Sequence, residues 1–277
     1  MTMFDKVKKI ILYVLLILLA VTCLLPFLLM MVNATRSGSE ISRSFTLIPG
    51  SSVKENWDIV FSYFNLFKGM FNSLMVALPV TLLTSYFSAM TAYGLAMYDF
   101  KGNKVVFGAI LVFMMIPGQL SLIGFYNLCT KLHLVNSYIP LILPSIAAPG
   151  TVFFLRQYLL SVLPPALTEA ARIDGASEIH AFHRIVLPVM SPGIATMAIG
   201  AFIGSWNSYL TPMIILNKNE KFTLPVMMAT LRASRDMAVN QGAVYLAVAI
   251  SVIPIIIVFC FCSKYIISSI SAGSVKE

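Results

Sequence analysis

The chain has 277 residues, of which 58% are hydrophobic and 11% are charged, whereas soluble domains carry about 25% charged residues. So few charges cannot cover a water-facing surface, which excludes a soluble globular protein. The apolar residues form long blocks and do not alternate with polar ones, which excludes an outer-membrane β-barrel. The composition therefore predicts an all-α protein, a polytopic bundle of transmembrane helices.

The formal net charge of +8 is spread between the apolar blocks and forms no dense patch, so no nucleic-acid partner is predicted. Its closest cluster is Lys6, Lys8 and Lys9, just ahead of the first apolar block. Basic residues beside a span favour the cytoplasmic side of the membrane. The first block, residues 10–32, is too long for the hydrophobic part of a signal peptide, and we interpret it as a retained span.

About 20 apolar residues are needed to cross the hydrocarbon core of a bilayer. Six segments meet this requirement: residues 10–32, 72–98, 105–128, 137–160, 187–212 and 243–262. They predict one membrane domain over residues 1–277, with both termini on the same side. The N-terminal lysines, together with Lys101 and Lys104, favour the cytoplasm for that side. Residues 33–70 and 213–242 would then lie outside the cell, and residues 161–186 inside.

Proline and glycine interrupt two of these segments. Pro117 and Gly118 lie in the third, and Pro140, Pro144 and Pro149 lie in the fourth. Broken helical backbone survives in a membrane only where protein or water covers it. Two interpretations stay open: these helices face a cavity or the bundle interior, or the prolines are kinks that serve packing.

The span centres contain no Asp, Glu, Lys or Arg. Carriers that run on ion gradients usually use intramembrane carboxylates, so a gradient-driven carrier is disfavoured but stays an alternative. No HExxH, GxSxG or P-loop motif is present, so neither an enzyme nor a catalytic residue is predicted. His180 and His183 are three residues apart, but no carboxylate or cysteine constellation accompanies them, and no metal site is predicted.

The most informative polar stretch is Leu163–Pro192, which reads LPPALTEAARIDGASEIHAFHRIVLPVMSP. Pro164 and Pro165 suit the start of a short helix, and Asp174-Gly175 predicts a turn in which Gly175 adopts the left-handed conformation that ends it. A small projecting helix with an apolar face is typical of a segment that docks in a groove on a partner. An amphipathic helix on the membrane surface is the alternative, disfavoured by the mixed signs of its charges.

This stretch resembles the EAA loop of the permease subunits of ABC importers. The matching residues are Glu169-Ala170-Ala171, Asp174-Gly175-Ala176, Phe182, Ile185, Leu187-Pro188 and Pro192. Further segments resemble the carbohydrate-uptake branch, in particular the shorter permease of the maltose transporter: Asn72-Ser73-Leu74, Met115-Ile116-Pro117-Gly118, Phe153-Phe154-Leu155-Arg156-Gln157-Tyr158, Trp206-Asn207 and Thr223-Leu224-Pro225. Ser208 departs from the pattern, which more often has an acidic residue there.

The resemblance implies the type I ABC importer permease fold in a bacterial cytoplasmic membrane. It implies a heterodimer with a second, homologous permease, an extracytoplasmic solute-binding protein that delivers a sugar, and two cytoplasmic ATPase subunits that bind ATP and Mg²⁺. This chain would hydrolyse nothing and carry no cofactor. Residues 161–186 would form the loop that couples to the ATPase. The coupling residues implied are Glu169, Ala170, Ala171, Asp174 and Gly175, with Glu169 making a polar contact and Gly175 shaping the turn.

Candidates for the substrate path combine aromatic faces with hydrogen-bonding groups, as sugar sites do. They are Tyr126, Asn127, Trp206, Asn207 and Tyr209. The alternative for each aromatic residue is a place in the belt at the membrane surface. A non-sugar solute such as glycerol phosphate or a polyamine is the alternative substrate class. Either would require charged groups in the cavity, which the partner permease would have to supply.

Overall fold

The computed structural model describes the backbone of residues 3–274 and the side chains of residues 5–261, except those of residues 165, 235 and 238. The regular elements of this part of the chain are all helical, which confirms the predicted fold class. In chain order the α-helices are α1 Met3–Ala34, α2 Gly38–Arg43, α3 Val53–Tyr63, α4 Leu66–Met97, α5 Asn103–Met115, α6 Leu122–Lys131, α7 Ile139–Ile142, α8 Pro149–Val162, α9 Pro165–Ile173, α10 Glu178–Ala181, α11 Leu187–Trp206, α12 Leu210–Ile215, α13 Leu224–Ala233, α14 Arg235–Val239 and α15 Gln241–Ser274.

Among the described residues, five helical segments are long and apolar enough to cross a membrane, and a broken pair makes a sixth. In that pair α5 and the helical stretch Gly118–Lys131 meet at an angle of 85°. The break has a local cause: Pro117 lacks an amide hydrogen and forces the preceding Ile116 into extended backbone. The fifth predicted segment also differs, because α11 ends at Trp206 and the chain turns before α12 begins at Leu210.

The described chain divides into two compact units. The first combines the N-terminal residues up to Phe67 with Met227–Ile253. Its centre is the buried side chain of Asn56, whose Nδ2 donates to the carbonyl oxygens of Ala34 at 2.9 Å and Arg36 at 3.0 Å. These bonds satisfy carbonyls at the end of α1, which otherwise lack partners within the helix.

The second unit comprises Lys68–Val226 and the residues from Pro254 onward. One of its cores joins α4, α8 and the start of α11. The buried members of this core are Ala89, Ala92, Tyr93, Leu155, Leu159, Leu163, Phe182, Val186 and Met190. Between α10 and α11 the helix widens to a π-turn over Phe182–Val186. Such π-turns are rare and often lie at functional sites.

Elsewhere in the second unit, side chains at the start of α4 tie down the segment that leads into α13. Asn72 Nδ2 donates to the carbonyls of Glu220 and Phe222, both at 2.9 Å. Ser73 Oγ accepts from the backbone amide of Leu224 at 2.8 Å. Two of the family-like motifs, Asn72-Ser73 and Thr223-Leu224, therefore meet in space and hold the backbone between them.

Candidate translocation cavity and coupling loop

The second unit contains a cavity of about 400 Å³ that is open on one part of its surface. Its lining residues are Ser73, Val76, Val80, Gly118, Ser121, Leu122, Phe125, Pro140, Leu141, Pro144, Ala201, Gly204, Ser205, Ser208, Thr211, Pro212 and Thr223. Six of these described lining residues carry a hydroxyl group and none carries a charge. The cavity can therefore donate and accept hydrogen bonds without offering a charged partner to an ion.

The broken segments contribute directly to this wall. Gly118 comes from the break after α5, and Pro140 and Pro144 come from the interrupted fourth segment. Of the two interpretations that the sequence left open, these three positions therefore support the one in which the broken helices face a cavity. Exposed backbone at such breaks needs water or protein around it, and a cavity wall provides both.

Thr223 stands out among the lining residues because its side chain is 4% exposed and its Oγ1 has no hydrogen-bond partner among the described residues. An unpaired buried hydroxyl is costly, at about 1–3 kcal/mol. Its oxygen is closed to water-sized molecules in this conformation, so a polar solute in the cavity would reach it only when the wall moves.

None of the five side chains predicted for the substrate path lines this cavity. Trp206 is buried and its ring stacks on Phe202 at 5.8 Å, whereas Tyr126 and Asn127 on α6 are exposed. Asn207 is exposed and Tyr209 is half-buried in the turn between α11 and α12. Their role in the path stays a prediction. Their neighbours Phe125, Ser205 and Ser208 form the wall.

The predicted coupling loop contains α9, which begins after Pro164 and ends as predicted. Gly175 has a φ of +79°, so the prediction of a left-handed turn there is confirmed. The amide of Gly175 donates to the carbonyl of Arg172 at 3.1 Å, and that of Ala176 donates to Ala171 at 3.0 Å. This pair of bonds is the Schellman motif that closes many helices.

The two sides of α9 differ in burial. Thr168 and Ala171 are buried, whereas Glu169, Ala170 and Asp174 are exposed. Ile173, one turn after Glu169, is 87% exposed. The predicted coupling residues on α9 and in the turn that follows it are therefore exposed, except Ala171, which faces the protein.

Glu178 lies beside this loop and was not among the residues predicted from the sequence. Its Oε1 accepts from Arg172 Nε at 2.9 Å, and its Oε2 accepts from the hydroxyl groups of Tyr98 and of Tyr93, the latter at 3.2 Å. The Arg172 guanidinium also lies over the Tyr98 ring, 4.9 Å from its centroid. The hydrogen bond to Glu178 raises the pKa of Arg172, so the guanidinium stays charged.

His183, predicted to ligate no metal, belongs to the π-turn. Its Nδ1 lies 2.8 Å from the carbonyl oxygen of Ile179 and its Nε2 lies 3.2 Å from the hydroxyl of Tyr86. The carbonyl can only accept, so Nδ1 carries the hydrogen and Nε2 accepts from Tyr86. Both ring nitrogens are therefore used within the protein.

Several membrane-spanning helices, some of them broken beside a neutral cavity, and an exposed helix–turn–helix loop between α8 and α11 are features of a multi-pass membrane transport subunit. Residues 82–271 match the family described as "Binding-protein-dependent transport system inner membrane component". The chain belongs to this family of permeases of binding-protein-dependent transport systems, as its resemblance predicted.

Close relatives span almost the whole chain. The arabinooligosaccharides transport system permease protein AraQ of Bacillus subtilis is 37% identical, covering 98% of this chain and 97% of its own length. The trehalose/maltose transport system permease protein MalG of Thermococcus litoralis is 33% identical, covering 98% of both chains. The diacetylchitobiose uptake system permease protein NgcG of Streptomyces coelicolor is 31% identical, covering 95% of this chain and 88% of its own.

Among solved structures, the chain resembles one chain of a bacterial ABC transporter involved in the import of the acidic polysaccharide alginate. The TM-score is 0.82, and the match covers 96% of this chain and 99% of the other. At 21% sequence identity this likeness concerns the fold. The predicted ABC importer permease fold is confirmed by it.

Proposed function

We propose that this chain is a membrane-spanning permease subunit of an ATP-driven, binding-protein-dependent importer of sugars or oligosaccharides. A second homologous permease would complete the translocation path, two ATPase subunits would bind ATP and Mg²⁺, and a solute-binding protein would deliver the sugar. The proposal is carried by the 37% identity, over nearly the full length, to a permease named for arabinooligosaccharides. Both termini would lie in the cytoplasm of a bacterial cell.

The chemistry of the cavity supports a neutral solute that is rich in hydroxyl groups. Hydroxyls such as those of Ser205, Ser208 and Thr223 can each donate and accept, which suits a sugar. Glycerol phosphate would favour a lysine or arginine in the wall, and a polyamine would favour carboxylates. The described wall contains neither.

The exposure of α9 supports docking on a cytoplasmic partner. Ile173 and Ile179 are 87% and 74% exposed on the loop that the family resemblance assigns to coupling. Large aliphatic side chains beside charges such as Glu169 form the kind of mixed surface that a helix buries in a groove. ATP-driven closure of the ATPase pair would then move α9 and switch the bundle between inward- and outward-facing states.

The proposal is tested by affinity purification of the chain from its native membrane in mild detergent. We expect an ATPase and a second permease to accompany it. Their ATP hydrolysis should increase when the solute-binding protein and a sugar are added, screened across arabino-oligosaccharides, maltose and diacetylchitobiose. A chain that purifies alone and moves solute into liposomes without ATP would establish the gradient-driven carrier instead.

Replacing Thr223 by valine tests the cavity. The change keeps the shape of the side chain and removes its unpaired hydroxyl. If a solute uses that hydroxyl, the sugar concentration for half-maximal uptake rises about three- to tenfold. The melting temperature should stay the same or rise, because no bond within the protein is lost.

Thr223→Ser is the matched control for this variant, since it keeps the hydroxyl and should transport like the wild type. Equal uptake by the Val and Ser variants would show that the solute does not use the hydroxyl of Thr223.

Charge reversal at Glu169 tests docking. Glu169→Lys changes an exposed residue of α9 and should leave insertion and stability unchanged. If Glu169 meets a complementary group of the ATPase, the variant retains at least about tenfold less ATPase on the column, since placing like charges together at an interface costs more than about 1.4 kcal/mol. Lys54→Glu in α3 is a comparable reversal outside the loop. Normal ATPase retention by Glu169→Lys would contradict the docking proposal.

A further inference from the structure

The helix that would meet the ATPase needs a connection to the membrane helices, and its polar contacts within the chain identify one. Arg172, in the last turn of α9, donates to one carboxylate oxygen of Glu178, at the start of α10. The other oxygen of Glu178 accepts from Tyr93, within α4, and from Tyr98, just after α4 ends. One carboxylate thus connects three separate elements. It also begins a helix, where the backbone dipole favours a negative charge.

The tyrosine end of this connection is firmly anchored. The carbonyl of Leu95, in the last turn of α4, accepts from Arg156 Nε at 3.3 Å and from Asn103 Nδ2 at 3.2 Å. The same Asn103 nitrogen donates to the carbonyl of Tyr98 at 2.9 Å. The end of α4 is therefore tied to α5 and to α8.

Aromatic packing adds to this anchor. Tyr93 is buried, stacks on Phe182 at 5.7 Å and meets the Tyr98 ring edge-on at 5.5 Å. Arg156 lies over the Phe107 ring at 4.2 Å. The tyrosines bound to Glu178 are therefore held by a packed core that includes α4 and α8. A displacement of Glu178 would move this core, because the tyrosine side chains are not free to rotate away.

We propose that Glu178 is the positioning residue that links the coupling helix α9 to α4, so that movement of α9 is passed to the membrane helices through the series Arg172–Glu178–Tyr98/Tyr93. This inference rests on the proposed function for the source of the movement. The link itself is a feature of this chain. The two contacts of Glu178, with Arg172 and with the tyrosines, act in series. Loss of either contact should therefore uncouple α9 from α4, and loss of both should have no larger effect.

The side toward α9 is broken by Arg172→Met, which keeps most of the aliphatic length and removes the ion pair. The side toward α4 is broken by Tyr93→Phe together with Tyr98→Phe, which keeps the rings and removes both donors. A third variant combines all three changes. Arg172→Lys, unlike Arg172→Met, keeps the positive charge but lacks the planar guanidinium. Asp99→Asn removes an exposed carboxylate next to Tyr98 and serves as the matched control.

The first readout needs no partner: amide hydrogen exchange over residues 166–176 of the full chain in detergent. We expect exchange there to accelerate about threefold in each broken variant, as befits a partly exposed ion-pair network, and to stay at the wild-type rate in Asp99→Asn. Unchanged exchange in both broken variants would overturn the inference, whatever the transport results.

The second readout is the number of sugar molecules moved per ATP hydrolysed by the copurified complex in liposomes. The probe is whichever of arabinotriose, maltose and diacetylchitobiose stimulates the wild-type ATPase most. We expect each broken variant to lower this ratio about threefold and the triple change to lower it no further, with partial recovery in Arg172→Lys.

The outcomes separate the two levels of the proposal. Losses that multiply in the triple variant would show general destabilisation and overturn the series link, as would faster exchange with an unchanged transport ratio. A wild-type chain that brings down no ATPase would refute the proposed function, while the exchange experiment would still decide whether Glu178 positions α9.

Discussion

Replacing Gly175 by valine is expected to lower sugar uptake about tenfold or more while leaving the chain in the membrane. Gly175 has a φ of +79°, and a side chain there would meet no atom within 4 Å among the described residues, so space is not the obstacle. The obstacle is the backbone: left-handed conformation costs an L-residue about 1–2 kcal/mol, and more for a β-branched one. The native turn after α9 would become about tenfold less populated or worse.

Three substitutions at this position form a graded series that isolates the conformational cause. Asparagine tolerates the left-handed region and should retain most uptake, alanine should be intermediate, and valine should lose the most. ATPase activity of the purified complexes, measured with and without sugar, shows whether the lost function is coupling. Equal uptake by the Asn and Val variants would contradict the argument.

The second large effect is expected at Gly242, near the start of α15. A Cβ there would lie 2.0 Å from the carbonyl oxygen of Arg36 and 2.7 Å from Asn56 Nδ2. Relief requires moving the backbone or breaking the bonds of the buried Asn56, each at a cost of about 1–3 kcal/mol. Gly242→Ala should therefore lower the melting temperature of the detergent-purified chain by about 2–12 °C and reduce its yield.

Gly200→Ala provides the matched control for this change. A Cβ at Gly200, within α11, has no neighbour within 4 Å among the described residues. Because alanine is the better helix former by about 1 kcal/mol, this variant should melt at or slightly above the wild-type temperature. If the two alanine variants melt together, the tight contact at Gly242 is not a determinant of stability.

The sequence was most informative where structure is decided locally. Apolar length predicted the spanning helices, Pro117 predicted the break, and Gly175 predicted how α9 ends. Each depends on a few neighbouring residues and on backbone properties that no distant contact reverses. The family-like motifs added the fold as a whole, which a single chain pattern cannot supply.

The residues that line the cavity could not be predicted from local sequence in this way. α11 is apolar around its whole circumference, so no stripe shows which side faces inward, and neighbouring helices decide its rotation. Trp206 was predicted for the substrate path on its chemistry alone, and the structure buries it against Phe202. Ser208 was noticed as a departure from the family pattern, and it lies in the wall.

The contacts of Glu178 with the two tyrosines could not be predicted from the sequence for a different reason. Glu178 and Tyr93 are 85 residues apart, and two tyrosines at the end of an apolar block are what a membrane-surface belt would show. Nothing in the spacing reveals that they converge on one carboxylate. Only the packing of α4 against the core at Phe182 brings them together.

The neutral wall of the cavity also bears on the electrical integrity of the membrane. α5 has 13 residues and is about 20 Å long, short of the roughly 30 Å hydrocarbon core, so the break at Pro117 lies at depths where water is otherwise excluded. A water-filled recess at that depth would thin the apolar barrier that protons and sodium ions must cross. Because the described wall offers hydroxyls and no charge, an ion that entered would lose hydration and gain no opposite charge in return. If the cavity is the proposed sugar path, its lining would favour a hydroxyl-rich solute over an ion and so would help to preserve the ion gradients of the cell.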